Sequence, residues 1–180
     1  REELSAVTLD EGRHLGLCLK ALTALGFPWG SFPTHIGLWQ SVSGEDSLLD
    51  RILIVHRYLE GSGLDATSKI LRRLSGVKAK EAIEAIAVIS HDEMSHVQFG
   101  SRWYHQLVEA EGLNPEKDFP ERLARLFSRI PRRLEPINHE LRTQAGFSNG
   151  EIRHLEELRL KWLTGGYERI HKMPDPLPTS

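Results

Sequence analysis

Cysteine occurs once, at Cys18, in 180 residues. One thiol excludes an internal disulfide framework and fits a reducing, cytoplasmic setting. It also leaves an iron–sulfur cluster or a rubredoxin-type electron path without ligands. Long apolar runs are missing too, since none approaches the roughly 20 residues that cross a bilayer. No basic leader with an apolar stretch opens the chain, so a secretory signal is not expected. Charge of one sign is missing: 23 basic against 25 acidic residues give a net charge of −2. No global field therefore draws the protein toward nucleic acid or an anionic membrane. A starting methionine is also missing. The chain begins at Arg1, inside a helical pattern, and an upstream segment is expected to precede it. The remaining composition, 39% hydrophobic and 27% charged, is ordinary for a globular domain with a sizeable core.

Apolar residues recur at helical spacing. From about residue 4 to 25, Leu4, Val7, Glu11, His14, Cys18, Leu22 and Leu25 share one face. Two of these, Glu11 and His14, are chemically out of place in an apolar stripe. A charge turned toward a core needs a partner or a metal. Residues 26–46 form a long connection with two prolines, four glycines, two tryptophans and His35. Phe32, Leu38 and Trp39 are expected to cap the end of a helical bundle, with His35 as a loop residue. A second helix opens at Ser47 and runs to about Leu74. Its inner face reads Leu49, Ile52, Leu53, His56, Glu60, Gly63, Leu64, Thr67, Leu71 and Leu74. Gly61 and Gly63 each cost roughly 1 kcal/mol in a helix, which points to close helix approach or a π-bulge. His56 reads as a proton shuttle or a core histidine more readily than as a ligand.

Ser75-Gly-Val-Lys78 turns into a helix over about 80–111, with Ile83, Ile86, Ser90, Glu93, His96/Val97, Gly100, Tyr104 and Leu107 inward. Two Glu-x-x-His pairs now stand out, Glu11-x-x-His14 and Glu93-x-x-His96. One such pair is weak evidence, because residues three apart share a helix face in many surface pairs. Glu60 adds an independent check. The midpoint between Glu60 and Glu93 falls between Gly76 and Val77, in the turn. An antiparallel hairpin therefore places Glu60 level with Glu93 and His96. Two Glu-x-x-His helices plus single Glu residues from two others are the ligand set of ferritin-like two-metal bundles. Asp10 and Asp92, directly before the two ligand glutamates, are candidates for accepting a ligand imidazole N–H across helices, or are plain surface charge. Oxygen and nitrogen donors without thiolate favour Fe or Mn over structural Zn.

Beyond residue 112, Gly112-Leu-Asn-Pro115 ends the long helix. Residues 117–130 read as a short helix with Phe119, Leu123, Leu126 and Phe127 inward. Arg122, Arg125, Arg129, Arg132 and Arg133 are expected on a solvated face. Ser148-Asn-Gly-Glu151 is a capping box opening a last helix to about His171. Its Glu168-x-x-His171 reads as surface, ahead of an extended tail with Pro174, Pro176 and Pro178.

The quoted motifs resemble a known family. Asp10-Glu-Gly-Arg-His14 looks like the Asp-Glu-x-Arg-His motif of ferritin-like proteins. Phe32-Pro-Thr-His-Ile-Gly-Leu-Trp39, Leu59-Glu-Gly-Ser-Gly-Leu-Asp-Ala66 and the segment from His91 to Trp103 are similar to the bacterial ferritin-like family catalogued as domain of unknown function 455. The resemblance covers roughly residues 4–115. It implies an all-α, ferritin-like antiparallel helical bundle over 1–115, to which the residue pattern adds a C-terminal helical extension over 116–172 and an extended tail over 173–180. It implies Glu11, His14, Glu60, Glu93 and His96 as ligands of two Fe ions, or of Mn and Fe. It also implies an upstream helix bearing a His-x-Glu-type motif, which has no counterpart here. This form is accordingly expected to dimerise through the uncovered face, to cover it with C-terminal helices, or to bind metal weakly. The expected activity is oxygen- or peroxide-dependent oxidation or hydroxylation of a small-molecule or unknown substrate. A non-catalytic iron-handling or peroxide-detoxifying binder, and a helical interaction module with a vestigial site, are the alternatives. A distant similarity to tRNA-modifying di-iron hydroxylases is an analogy of fold alone, and leaves a tRNA partner open.

Overall fold

In the computed structural model, residues 2–77 and 79–164 are described, and every regular element among them is helical. Helix α1 (Glu2–Ala24) stops where Gly26 adopts φ +84°, and the Gly26 and Phe27 N–H groups bond back to the Thr23 and Leu22 carbonyls. A rod follows the long connection. It consists of α2 (Leu48–Ile52), a π-helical segment (Leu53–Glu60) and α3 (Gly61–Leu74). Ser47 caps it through a reciprocal box with Asp50. A tight turn leads to α4 (Lys80–Ala110), the longest helix among the described residues. Asn114 caps α5 (Pro115–Leu126), whose first residue, Pro115, sits where its missing N–H costs nothing. Asn138 caps α6 (His139–Gln144), and the Ser148–Glu151 box opens α7 (Asn149–Leu163).

α4 is the axis of the molecule. α1 lies along one side of it, and the α2–α3 rod along another. Glu3 bonds Arg102, His96 faces Asp10 and His14 faces Asp92, so α1 runs antiparallel to α4. The main core lies away from α1. Leu53, Ile54, Val97, Tyr104 and Val108 pack there on Phe119, Leu123, Ile152 and Leu155 of α5 and α7. No helix among the described residues is long and apolar enough to cross a membrane. Glu168, His171 and the tail over 173–180 lie outside the described residues.

Several sequence expectations are corrected. α1 buries Val7, His14 and Ala21, but Leu4, Cys18 and Leu25 are exposed. The reason is that α1 packs chiefly on α4, so its buried stripe is narrower than expected. The C-terminal helices do not cover the rest, because α5, α6 and α7 pack on α3, α4 and one another. The rod buries Ile54, Arg57 and Tyr58 on a face the periodicity assigned to solvent. The π turn rotates them toward α5 and α7.

The arginines from 122 to 133 form a solvated row only in part: Arg125 and Arg132 are exposed, and the others are buried or half-buried. Arg122 is buried and bonds Asp118 and Asp50, Arg125 also reaches Asp50, and Arg129 holds Asp46. These pairs pin α5 to the start of the rod. They also hold the Asp46 carboxyl below its ordinary range, chiefly through Arg129.

The connection does not cap the bundle. Trp39 is 80% exposed, and Phe32 and Leu38 are also open. After glycine turns at positions 26 and 30, Phe27 and Phe32 pack on each other, ring centres 4.8 Å apart, and only Ser41 and Val42 reach the core. Trp39→Ser is therefore expected to change urea-unfolding stability by less than about 0.5 kcal/mol, as surface substitutions do. A loss above about 1 kcal/mol would show that the ring covers something.

Candidate metal centre

Both Glu-x-x-His pairs face the same space between α1, α4 and the π segment. The pairs cross. His14 Nε2 lies 3.1 Å from Asp92 Oδ2, and His96 Nε2 lies 3.3 Å from Asp10 Oδ2. Each imidazole is thus held by the acid preceding the other helix's glutamate. Arg13 ties both acids together, at 2.9 Å from Asp10 and 2.6 Å from Asp92. The Asp10 carboxyl is held below the usual range by Arg13 first and His96 next. Burial pushes Asp92 up, but the hydrogen bonds with His14 and Arg13 outweigh it and the net direction is down.

An ionised carboxylate only accepts, so the nitrogen beside it carries the proton. In the neutral rings, His14 and His96 therefore turn a bare Nδ1 lone pair inward. Both Nδ1 atoms are buried without a hydrogen-bond partner, and so is Glu93 Oε2. A buried polar atom without a partner is costly, so three of them converging is a signal. His96 Nδ1 is 3.2 Å from Glu11 Oε1 and 3.6 Å from Glu93 Oε2. His14 Nδ1 is 3.6 Å from Glu11 Oε1 and 4.0 Å from Glu93 Oε1. Glu11 and Glu93 thus stand between the two imidazoles, whose ring centres are 5.7 Å apart.

The hairpin count held. The π segment brings Glu60 level with Glu93, and one donor atom each from Glu11, Glu60, Glu93 and His96 lie within 4.8 Å of one another. His14 joins through Glu11 and Glu93 only. Clustered charge has a cost: burial first, then the Glu60 and Glu11 carboxylates, push Glu93 up to about 7. His56 Nδ1 donates to the Glu60 carboxylate at 2.9 Å, one helical turn away, and its ring stands nearly perpendicular to that of Phe99. Glu11 departs from its expected place. Its side chain is 51% exposed, so the cluster is open on the α1 side. There is also a cavity of about 240 Å³ against His96, lined in part by Glu3, Val7, Asp10, Gln98 and Arg102.

Sequence reasoning assigned no role to Arg13, although it lies inside the quoted motif. Its spacing from Asp10 was the available signal. His35 stays in the exposed connection, with Nδ1 accepting from the Gly37 N–H.

A family model described as "Protein of unknown function (DUF455)" matches residues 1–153. An "Uncharacterized protein" of Haemophilus influenzae is 34% identical over 153 residues, 84% of this chain and 52% of the relative. The chain thus spans about half the length of the curated relative it matches. No solved structure matches.

Proposed function

The chain belongs to the DUF455 family, and on that footing we propose that it is a ferritin-like, carboxylate-bridged two-metal protein acting as an oxidoreductase. One observation carries the reading: three buried donor atoms without partners, two imidazole and one carboxylate, converge on a single space. The residues fit a metal pair. Glu11, Glu60, Glu93 and His96 would hold it, with His14 adding its donor beside Glu11 and Glu93. Nitrogen and oxygen donors of this kind suit Fe or Mn. When bound, such ions supply electron transfer to dioxygen or peroxide, and with it oxidation or hydroxylation of a substrate. Asp10 and Asp92 keep each Nδ1 unprotonated and aimed inward. His56 holds the Glu60 carboxylate and is placed to take or give a proton there. The open side at Glu11 admits small molecules.

The test is metal content and affinity of the purified protein after anaerobic loading with Fe²⁺ or Mn²⁺. About two ions per chain are expected. Asp92→Asn and Asp10→Asn should each weaken binding by about 10–100-fold, the usual cost of losing the partner of a ligand histidine. Absence of metal in the loaded wild-type protein would defeat the reading. The exposed Trp29, Ile36 and Trp39 would then put the helical interaction module first. Oxygen uptake without any added substrate would instead favour the iron-handling or peroxide-detoxifying alternative.

A further inference from the structure

Behind the proposed centre, the C-terminal helices grip the π segment. Arg142 of α6 is 1% exposed, and its guanidinium is fixed by Asp65 at 3.2 Å (Nε) and 2.6 Å (Nη2). Its remaining nitrogen, Nη1, donates to the Arg57 carbonyl at 2.9 Å. That carbonyl belongs to the wide turn, and at the turn's end the Gly61 N–H bonds only three residues back, to Tyr58. The space Arg142 occupies exists because residue 61 is glycine: a Cβ there would lie 2.2 Å from Nη1. Asp65 is kept in place by the Asn138 N–H at 2.9 Å, and Phe147 stacks on the guanidinium. The side chain of Arg57 is clamped from the same side by Glu151. Its neighbour His56 and Glu60 point the other way, toward Glu93.

We infer that Arg142 is a positioning residue for the Glu60 side of the site: seated over Gly61 and anchored by Asp65, it holds the π turn that presents His56 and Glu60. The π geometry is an uncommon, less favourable winding that recurs at functional sites and needs outside support. Arg142 supplies that support from a helix 85 positions later in the chain than residue 57. The metal part of the inference rests on the two-metal reading above; the placement of His56 and Glu60 does not.

Gly61→Ala is the discriminating variant. It pushes the pinned end of Arg142 off its seat, so part of the buried Arg142–Asp65 pairing is lost and some stability with it; a far-UV spectrum matching wild type shows that the variant is folded. Two readouts on the full chain are compared with wild type. In the metal-free protein, the His56 ring resonances in a ¹⁵N-resolved NMR spectrum report its contact with Glu60. In the loaded protein, titration with Mn²⁺ reports affinity. Expected for Gly61→Ala and Arg142→Met are shifted His56 resonances and at least tenfold weaker binding of one of the two ions, with Arg142→Lys intermediate. Should Arg142→Met fail to fold, Gly61→Ala decides alone. Unmoved His56 resonances and unchanged Mn²⁺ affinity in Gly61→Ala would overturn the inference. Shifted resonances in a wild-type background that binds no Mn²⁺ would uphold Arg142 as the positioning residue while removing the metal reading.

Discussion

Glu93→Gln should empty the site of metal and yet stabilise the metal-free protein above pH 7. The two effects come from one cause. Glu93 is packed among Glu60 and Glu11, and burial together with those carboxylates raises its carboxyl to about 7, against an ordinary 4.5. The folded state therefore holds a proton that the unfolded chain has released between pH 4.5 and 7. Stability falls as pH rises through that window, and the full penalty stands above pH 7. The difference corresponds to at most roughly 3 kcal/mol, and to about 1–2 kcal/mol once partial solvent contact is allowed for. At about 2–4 °C per kcal/mol for a chain of this size, the melting temperature of the metal-free wild type should drop by several degrees between pH 5 and pH 8. The amide carries no charge to desolvate, so Glu93→Gln should show a flatter profile and a higher melting temperature at pH 8. It also cannot serve as a bridging anion, so added Fe²⁺ or Mn²⁺ should raise the wild-type melting temperature and leave the variant unmoved. Thermal unfolding at several pH values, with and without Mn²⁺, measures all of this. A variant less stable than wild type at pH 8 without metal would mean that Glu93 makes a structural bond the geometry does not contain. A variant still stabilised by Mn²⁺ would remove Glu93 from the ligand set.

What the sequence made legible was local or could be counted. Glu11, His14, Glu93 and His96 declare themselves because three-residue spacing fixes a shared face. Glu60 was reachable because a hairpin equates distances from its turn. The Ser47 and Ser148 caps are read off four consecutive residues. Gly61 and Gly63, costly in a helix, pointed to close helix approach or a π-bulge, and a π segment ends just before Gly61. The supports behind the site were not legible. Arg57, Asp65 and Arg142 are charged residues on amphipathic helices that each alone read as solvated positions, and Glu151 read as a cap residue and nothing more. Their burial follows from partners 77 to 94 positions away, and no local periodicity carries that information. The same holds for Asp46 and Asp50, whose arginines lie on α5 and just after it. The width of the buried stripe on α1 was overstated for a related reason: periodicity tells which face is apolar, not how many neighbours will come to cover it.

Glu151→Ala should cost about 3–5 kcal/mol, the usual result of removing one member of a buried ion pair, because Arg57 would be left charged and unpaired in the core. Both side chains are almost fully buried, and the pair is bidentate, at 2.7 and 2.8 Å. Tyr104, Phe119 and Phe147 surround the Arg57 guanidinium at 4.2–4.9 Å, so water cannot replace the lost carboxylate. Glu151 also closes the cap of α7 and meets His105 at 3.3 Å, so one substitution loosens three elements at once. Burial alone would raise its carboxyl; the hydrogen bonds with Arg57 and His105 outweigh it and hold the group at about 2, against an ordinary 4.5. Here the sign is the reverse of that at Glu93. The unfolded chain takes up a proton first, so the contribution is complete above pH 4.5 and is lost as pH falls toward 2. Urea unfolding should therefore show wild-type stability declining on the acid limb, with a shallower decline in Glu151→Ala. The double variant Arg57→Met/Glu151→Leu separates the two explanations of a large loss. If the cost is an orphaned charge, replacing both partners with apolar side chains recovers most of it. If the cost is the missing cap and the packing of α7, the double variant stays as unstable as Glu151→Ala. Because Arg57 sits beside His56 in the π segment, the first outcome would also mean that α7 holds that segment through charge.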